Sequence, residues 1–143
     1  MTEKIYGKMN KDDWVFTELF EGKSKCANCG KPNIKNIYVV TNNKTGNLAH
    51  VGNECIKLFG ALPKTTADAL VVTLKQKTNY ETIPQVLIEK AKEENVINDW
   101  EYNFLSDMHN RRKILSEKQK NKKALLNGMI KRKFIQTRGI QND

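Results

Sequence analysis

Cys26, Cys29, His50 and Cys55 are the residues whose types and spacing best support chemistry, and they run Cys-x2-Cys-x20-His-x4-Cys. Two thiolates separated by two residues can share one tetrahedral ion, with Zn–S bonds of about 2.3 Å. Gly30 directly follows the pair and permits the turn that aims both sulfurs at one point. Cys55 is expected in the first turn of a short helix, where the helix N-terminus favours a thiolate. His50 can supply a neutral imidazole nitrogen as the fourth ligand. Four protein ligands would close the site around one structural zinc ion. Water or a carboxylate such as Glu54 in the fourth place would leave an open, catalytically useful position. His109, the other histidine, would have to dock from a distant helix. Two further readings of the thiols are three buried free cysteines and a redox pair. The redox pair is the weaker, because this CxxC opens a hairpin and not a helix.

These ligands require particular elements to carry them. After the knuckle, Ile37-Tyr38-Val39-Val40-Thr41 reads as a strand. Asn42 to Asn47 is a turn, and Leu48 to Val51 returns as a second strand. Asn53 can cap a short helix over Glu54 to Phe59, which Gly60 closes. Knuckle, hairpin and short helix in this order predict a treble-clef-like finger. Ahead of it, Trp14, Phe16, Leu19 and Phe20 have a short, mixed spacing that supports at most one helical turn, with Asp12 or Asp13 as its cap.

Beyond Pro63 the pattern becomes helical. Thr65 with Asp68 resembles a capping box ahead of Leu70, Val71 and Leu74. Pro84 precedes a helix carrying Val86, Leu87 and Ala91, with Asn95 as its stop. Asn98 with Glu101 can cap a third helix whose Trp100, Phe104, Leu105 and Met108 are expected to share the core face. Ser116 to Gln119 is a capping box for a fourth, on which Leu126, Ile130 and Phe134 recur every four residues. Lys120, Lys123, Asn127 and Lys131 line another face of that helix. The fold class is therefore α+β: a zinc-finger module with an N-terminal extension over residues 1–62, then a region of three to four helices over residues 63–143.

One segment resembles a known pattern. Cys26-Ala-Asn-Cys29-Gly30, Ile37 to Val40, Thr45-Gly46 and His50-Val51-Gly52-Asn53-Glu54-Cys55-Ile56-Lys57-Leu58-Phe59 together look like a zinc-finger-like segment of small bacteriophage and mobile-element proteins. The likeness covers about a quarter of the chain and implies a bacterial host cell, with little implied about activity. Ser106 to Ile130, centred on Leu115 to Gln119, is similar to a second phage element that often sits near nucleic-acid domains.

Charge narrows the function classes. The chain holds 25 Lys and Arg against 16 Asp and Glu, for a net +9. Residues 1–62 carry a balance of +3, residues 63–109 of −3 and residues 110–143 of +9. The last quarter thus equals the whole excess, which points to phosphate contacts with DNA or RNA. The candidates are Arg111, Arg112, Lys113, Lys120, Lys123, Lys131, Arg132, Lys133 and Arg138, with Lys31, Lys35 and Lys44 as a second surface. Tyr38 would stack on a base if it faced outward, although a core role is the stronger expectation. The competing class is a protein-binding inhibitor or adaptor of a host enzyme, such as a polymerase or a CRISPR-type defence nuclease, anchored by Trp14, Trp100 and Tyr102. An enzyme, such as a nuclease, is less well supported: no phosphate-binding glycine loop, dinucleotide fingerprint or serine-centred nucleophile motif occurs. No apolar run approaches the ~20 residues of a membrane span, and the first residues lack a secretory pattern, so a cytoplasmic protein is expected.

Overall fold

A computed structural model describes residues 9, 12–58, 60–110 and 115–136. The first element among the described residues is a strand, β1 (Trp14–Ser24), and not a helical turn. It pairs antiparallel with β2 (Ile34–Asn42), with a bulge between Phe16 and Glu18 that leaves Thr17 as an extra residue. The bulge explains the mixed spacing. Trp14, Phe16 and Leu19 face the partners Asn42, Val40 and Tyr38 on one side of the sheet, although their intervals are two and three residues. The alternation that marks a strand is present, interrupted once.

β2 returns through the Asn42–Asn47 turn into β3 (Leu48–Val51), antiparallel, with Tyr38 opposite Val51 and Val39 opposite His50. Asn42 secures this turn by accepting the Lys44 and Thr45 amides on Oδ1 at 2.9 and 3.0 Å. A short helix, α1 (Asn53–Leu58), follows, and Gly60 at φ 82° ends it in the left-handed region. Four further helices follow among the described residues: α2 (Lys64–Leu74), α3 (Gln85–Glu93), α4 (Asp99–Asn110) and α5 (Glu117–Phe134). After α5, β4 (Ile135–Gln136) runs parallel to β1, with Ile135 opposite Leu19. The sheet order is β3-β2-β1-β4, so the class is α+β.

The last described strand thus closes on the first, and one hydrophobic core serves both halves. Leu19, Tyr38, Val40, Ala49 and Val51 from the sheet pack with Leu70, Leu87, Leu126, Ile130 and Phe134 from the helices, all essentially buried. Tyr38 is wholly buried, and its hydroxyl shares its one proton between Asn53 Oδ1 (2.8 Å) and the Ala67 carbonyl (3.0 Å). Burial, and secondarily the Asp68 carboxylate, raises its pKa far above the usual phenol value. It therefore has no outward face for a base.

The capping expectations divide. Ser116 and Gln119 form the reciprocal box of α5, and Asn98 and Glu101 exchange the same pair of bonds at the start of α4. Asn95, at φ 59°, stops α3. The Thr65–Asp68 box does not form: α2 begins behind Pro63, which offers no side-chain cap, and Asp68 instead pairs with Lys57 of α1 at 2.7 Å. Trp100 is a second correction. Leu105 and Met108 are buried, but Trp100 is 59% exposed. At about 100° per residue, Trp100 lies roughly 140° around the helix from Leu105, so only the edge of its arc could face the core.

Candidate metal centre

The knuckle is a backbone construction before it is a ligand set. The Cys26 amide donates to the Lys31 carbonyl (2.9 Å), and the Gly30 amide to the Cys26 carbonyl (2.8 Å). Gly30 takes a φ of 81°, which a side chain would resist. The Ala27 amide donates to the His50 carbonyl at 2.8 Å, fixing the knuckle against the end of β3. From there the chain turns directly into α1, which carries Cys55.

The three sulfur atoms consequently lie within 4.8 Å of one another. Bonds of about 2.3 Å to a tetrahedral ion would place them about 3.8 Å apart, so a small inward movement would seat a metal. No disulfide joins them; Cys26 and Cys55 are buried, and Cys29 is exposed. Their protonation is tuned unequally. Burial works to raise the Cys26 thiol, but the amides of Gly52, Cys29 and Asn28, with the Cys55 thiol, outweigh it and lower its pKa. The Gly52 amide lies 3.4 Å from Cys26 Sγ. Cys55 is pushed up to about 12, first by burial and then by Cys29 and Cys26, against a hydrogen bond from Asn28. The Cys26 thiolate is thus favoured, and Cys55 then resists ionising beside it, a conflict that a bound dication would remove. An all-thiol donor set of this kind suits a soft or borderline metal.

His50 is not part of this convergence. Strand alternation turns it to the side of the sheet that carries Phe20, where the rings meet edge-on with centroids 5.5 Å apart. Its Nδ1 is 3.0 Å from Ser24 Oγ. The histidine's backbone belongs to the centre, through Ala27, while its side chain serves the sheet. All three cysteines line a cleft of ≈370 Å³ together with Lys31, Lys35 and Glu54. Glu54 is the carboxylate on that wall, but no carboxylate oxygen among the described residues joins the three sulfurs within 4.8 Å.

Sequence reasoning overlooked Asn28, the buried polar residue inside the CxxC. Its side chain accepts the Met9 amide (3.4 Å) and bonds Cys55. Only its position between the two cysteines could have drawn notice.

The basic residues are more dispersed than the charge count implied. Arg111, Arg112, Lys113 and Arg138 lie outside the described residues, as does Phe59 of the finger-like segment. Arg132 and Lys133 are exposed, and Lys120 is half-buried, 3.9 Å from Glu117. Lys123 is buried and donates to Thr82 Oγ1 at 2.8 Å. Asn127 donates to the Asn79 and Glu81 carbonyls, and Lys131 to the Thr78 carbonyl. This face of α5 therefore holds the 76–82 loop in place. Between the loop and α5 lies a cleft of ≈580 Å³ that includes Lys77, Lys131 and Arg132 in its lining, with Glu21 also on its wall. Gly128 keeps it open: a Cβ there would stand 3.1 Å from Asn79 Nδ2 and 3.4 Å from Arg132 Nη1. Of the three aromatic anchors, Trp14 is buried, Tyr102 is half-buried with the Lys92 ammonium 5.5 Å from its ring centroid, and Trp100 is exposed.

No family model, curated protein or solved structure matches this chain. The likeness of residues 26–59 to finger-like segments rests on the pattern of that segment. No helix among the described residues is long and apolar enough to cross a membrane.

Proposed function

We propose that this protein is a zinc-stapled nucleic-acid-binding protein, with one structural Zn²⁺ on Cys26, Cys29 and Cys55 and with phosphates bound in its basic clefts. The cleft beside α5, where Lys77, Lys131 and Arg132 converge, is the observation that carries the reading. Lys31 and Lys35, exposed on the rim of the metal cleft, supply a second patch. Each ammonium or guanidinium that meets a phosphate releases a condensed counterion, which yields affinity with no base readout. The proposed role of the zinc is to hold the knuckle so that Lys31 and Lys35 keep their places. The motif's likeness to phage and mobile-element proteins fits a small accessory protein of this kind.

The test is binding of the zinc-loaded protein to labelled DNA and RNA across a salt series. Log affinity should fall linearly with log salt, and on a duplex each cation that neutralises a phosphate should add about 0.9 to the steepness. Replacing Lys77 and Arg132 together with alanine should therefore reduce the slope by nearly two. Unchanged affinity and slope in that variant would sink the assignment of this cleft. A second reading, an inhibitor or adaptor that engages a host enzyme, draws on one observation, the exposed Trp100.

A further inference from the structure

Trp100 is unusual on this surface. It stacks on Phe104 with ring planes 13° apart and centroids separated by 5.4 Å. The Lys122 ammonium lies 5.4 Å from the indole centroid. Leu125 beside it is 55% exposed. These side chains, with Lys118, line a cleft of ≈480 Å³ between α4 and α5. A flat aromatic pair open to water, edged by ammonium groups, is the arrangement on which nucleobases stack while their phosphates find cations.

We propose that the Trp100–Phe104 pair is a stacking platform for bases of a single-stranded nucleic acid, with Lys118 and Lys122 taking the flanking phosphates. This rests on the nucleic-acid reading above and specifies the strand form. Charge supports this occupant. Lys118 and Lys122 form no ion pair among the described residues, whereas the acids nearby are engaged. Asp99 pairs with Lys92 at 3.0 Å, and Glu117 lies 3.9 Å from Lys120. Glu101 Oε1 accepts the Asn98 amide at 2.8 Å. The cleft therefore presents apolar π-surface edged by two ammonium groups that no carboxylate pairs with among the described residues. A duplex would keep its bases stacked on each other and leave the platform unused, so the preference falls on single strands.

The protein itself provides the probe. Trp14, the other tryptophan, is only 2% exposed, so quenching of fluorescence by an oligonucleotide reports on Trp100. The measurement uses the zinc-loaded full chain with a short oligothymidylate and with a duplex of equal length. Oligothymidylate should quench the emission. Trp100→Ala should weaken its binding about tenfold, the effect of removing one stacked base, and leave duplex affinity nearly unchanged. Trp100→Phe should recover most of that affinity. Because the residue is exposed, circular dichroism of each variant should match the parent. Equal oligothymidylate affinity in the parent and Trp100→Ala would overturn the platform and leave the phosphate-binding reading standing. Binding to neither nucleic acid would overturn both. A concentration-dependent dimer in sedimentation that Trp100→Ala dissociates would assign the face to a second copy and overturn the proposal.

Discussion

Tyr38→Phe tests whether the metal centre depends on the core beneath it. The hydroxyl is buried and ties three elements: β2 carries it, Asn53 begins α1, and Ala67 lies in α2. Removing one oxygen deletes the proton that these two acceptors share and leaves both the Ala67 carbonyl and the Asn53 carboxamide short of a partner. At about 1 kcal/mol for each acceptor left unpaired, the cost is about 2 kcal/mol. A chain of 143 residues has an unfolding entropy near 0.3 kcal/mol/K, so the melting midpoint should fall by about 7 °C. Asn53 stands two residues before Cys55, so loosening it also loosens the thiol. Zinc affinity should drop about tenfold or more, as it does when an outer-shell partner of a ligand is removed. The assays are thermal unfolding by circular dichroism and competitive titration against a chromophoric chelator. A variant with unchanged midpoint and unchanged zinc affinity would refute the clamp. The parent should also lose stability in alkali. The folded phenol's pKa lies above its ordinary value of about 10, so above that pH only the unfolded chain releases the proton. Alkaline unfolding that Tyr38→Phe delays is the corresponding observation.

Four further outcomes follow from the same geometry. His50→Ala should leave zinc affinity within about threefold of the parent, whereas Cys55→Ser should lower it by several orders of magnitude, read in the same titration. Chelation should abolish protection of the 26–31 amides in hydrogen exchange while the α5 amides stay slow, because α5 packs chiefly on β1, β4, α2 and α4, whereas the ligands lie on the knuckle and α1; simultaneous loss of both would show that the ion supports the whole fold. Asn127→Ala removes two part-buried hydrogen bonds to the 76–82 loop and should destabilise the protein by about 2 kcal/mol, measured by urea unfolding. Acid should release that loop. The Lys77 and Thr78 amides, and then Lys131, hold the Glu81 carboxyl below its usual pKa, so its contribution is complete above about pH 4.3 and fades as pH falls through the lowered value. Faster exchange of the Lys77 and Thr78 amides in acid, absent in Glu81→Gln, is the check.

Much of the local architecture was legible from residue types alone. The CxxC with its glycine, the β-branched run at Ile37, the turn from Asn42 to Asn47 and the boxes at Asn98 and Ser116 are short-range devices. Their physics is settled within a few residues, so spacing is enough to read them. The α+β class and the convergence of Cys55 on the knuckle followed from the same logic, because a hairpin returns the chain to where it started. What needed the tertiary structure was every choice between partners far apart in sequence. The bulge at Thr17 is recognisable only against β2. Asp68 offered a local cap and took Lys57 instead, because α1 lies beside α2. His50 sits in the right order for a ligand, but the register of β3 gives its ring to Phe20 and Ser24. The lysines of α5 share one face by periodicity, and only the docking of the 76–82 loop showed that Lys123 is buried. Composition reported the charge; packing determined which charges remain in contact with solvent.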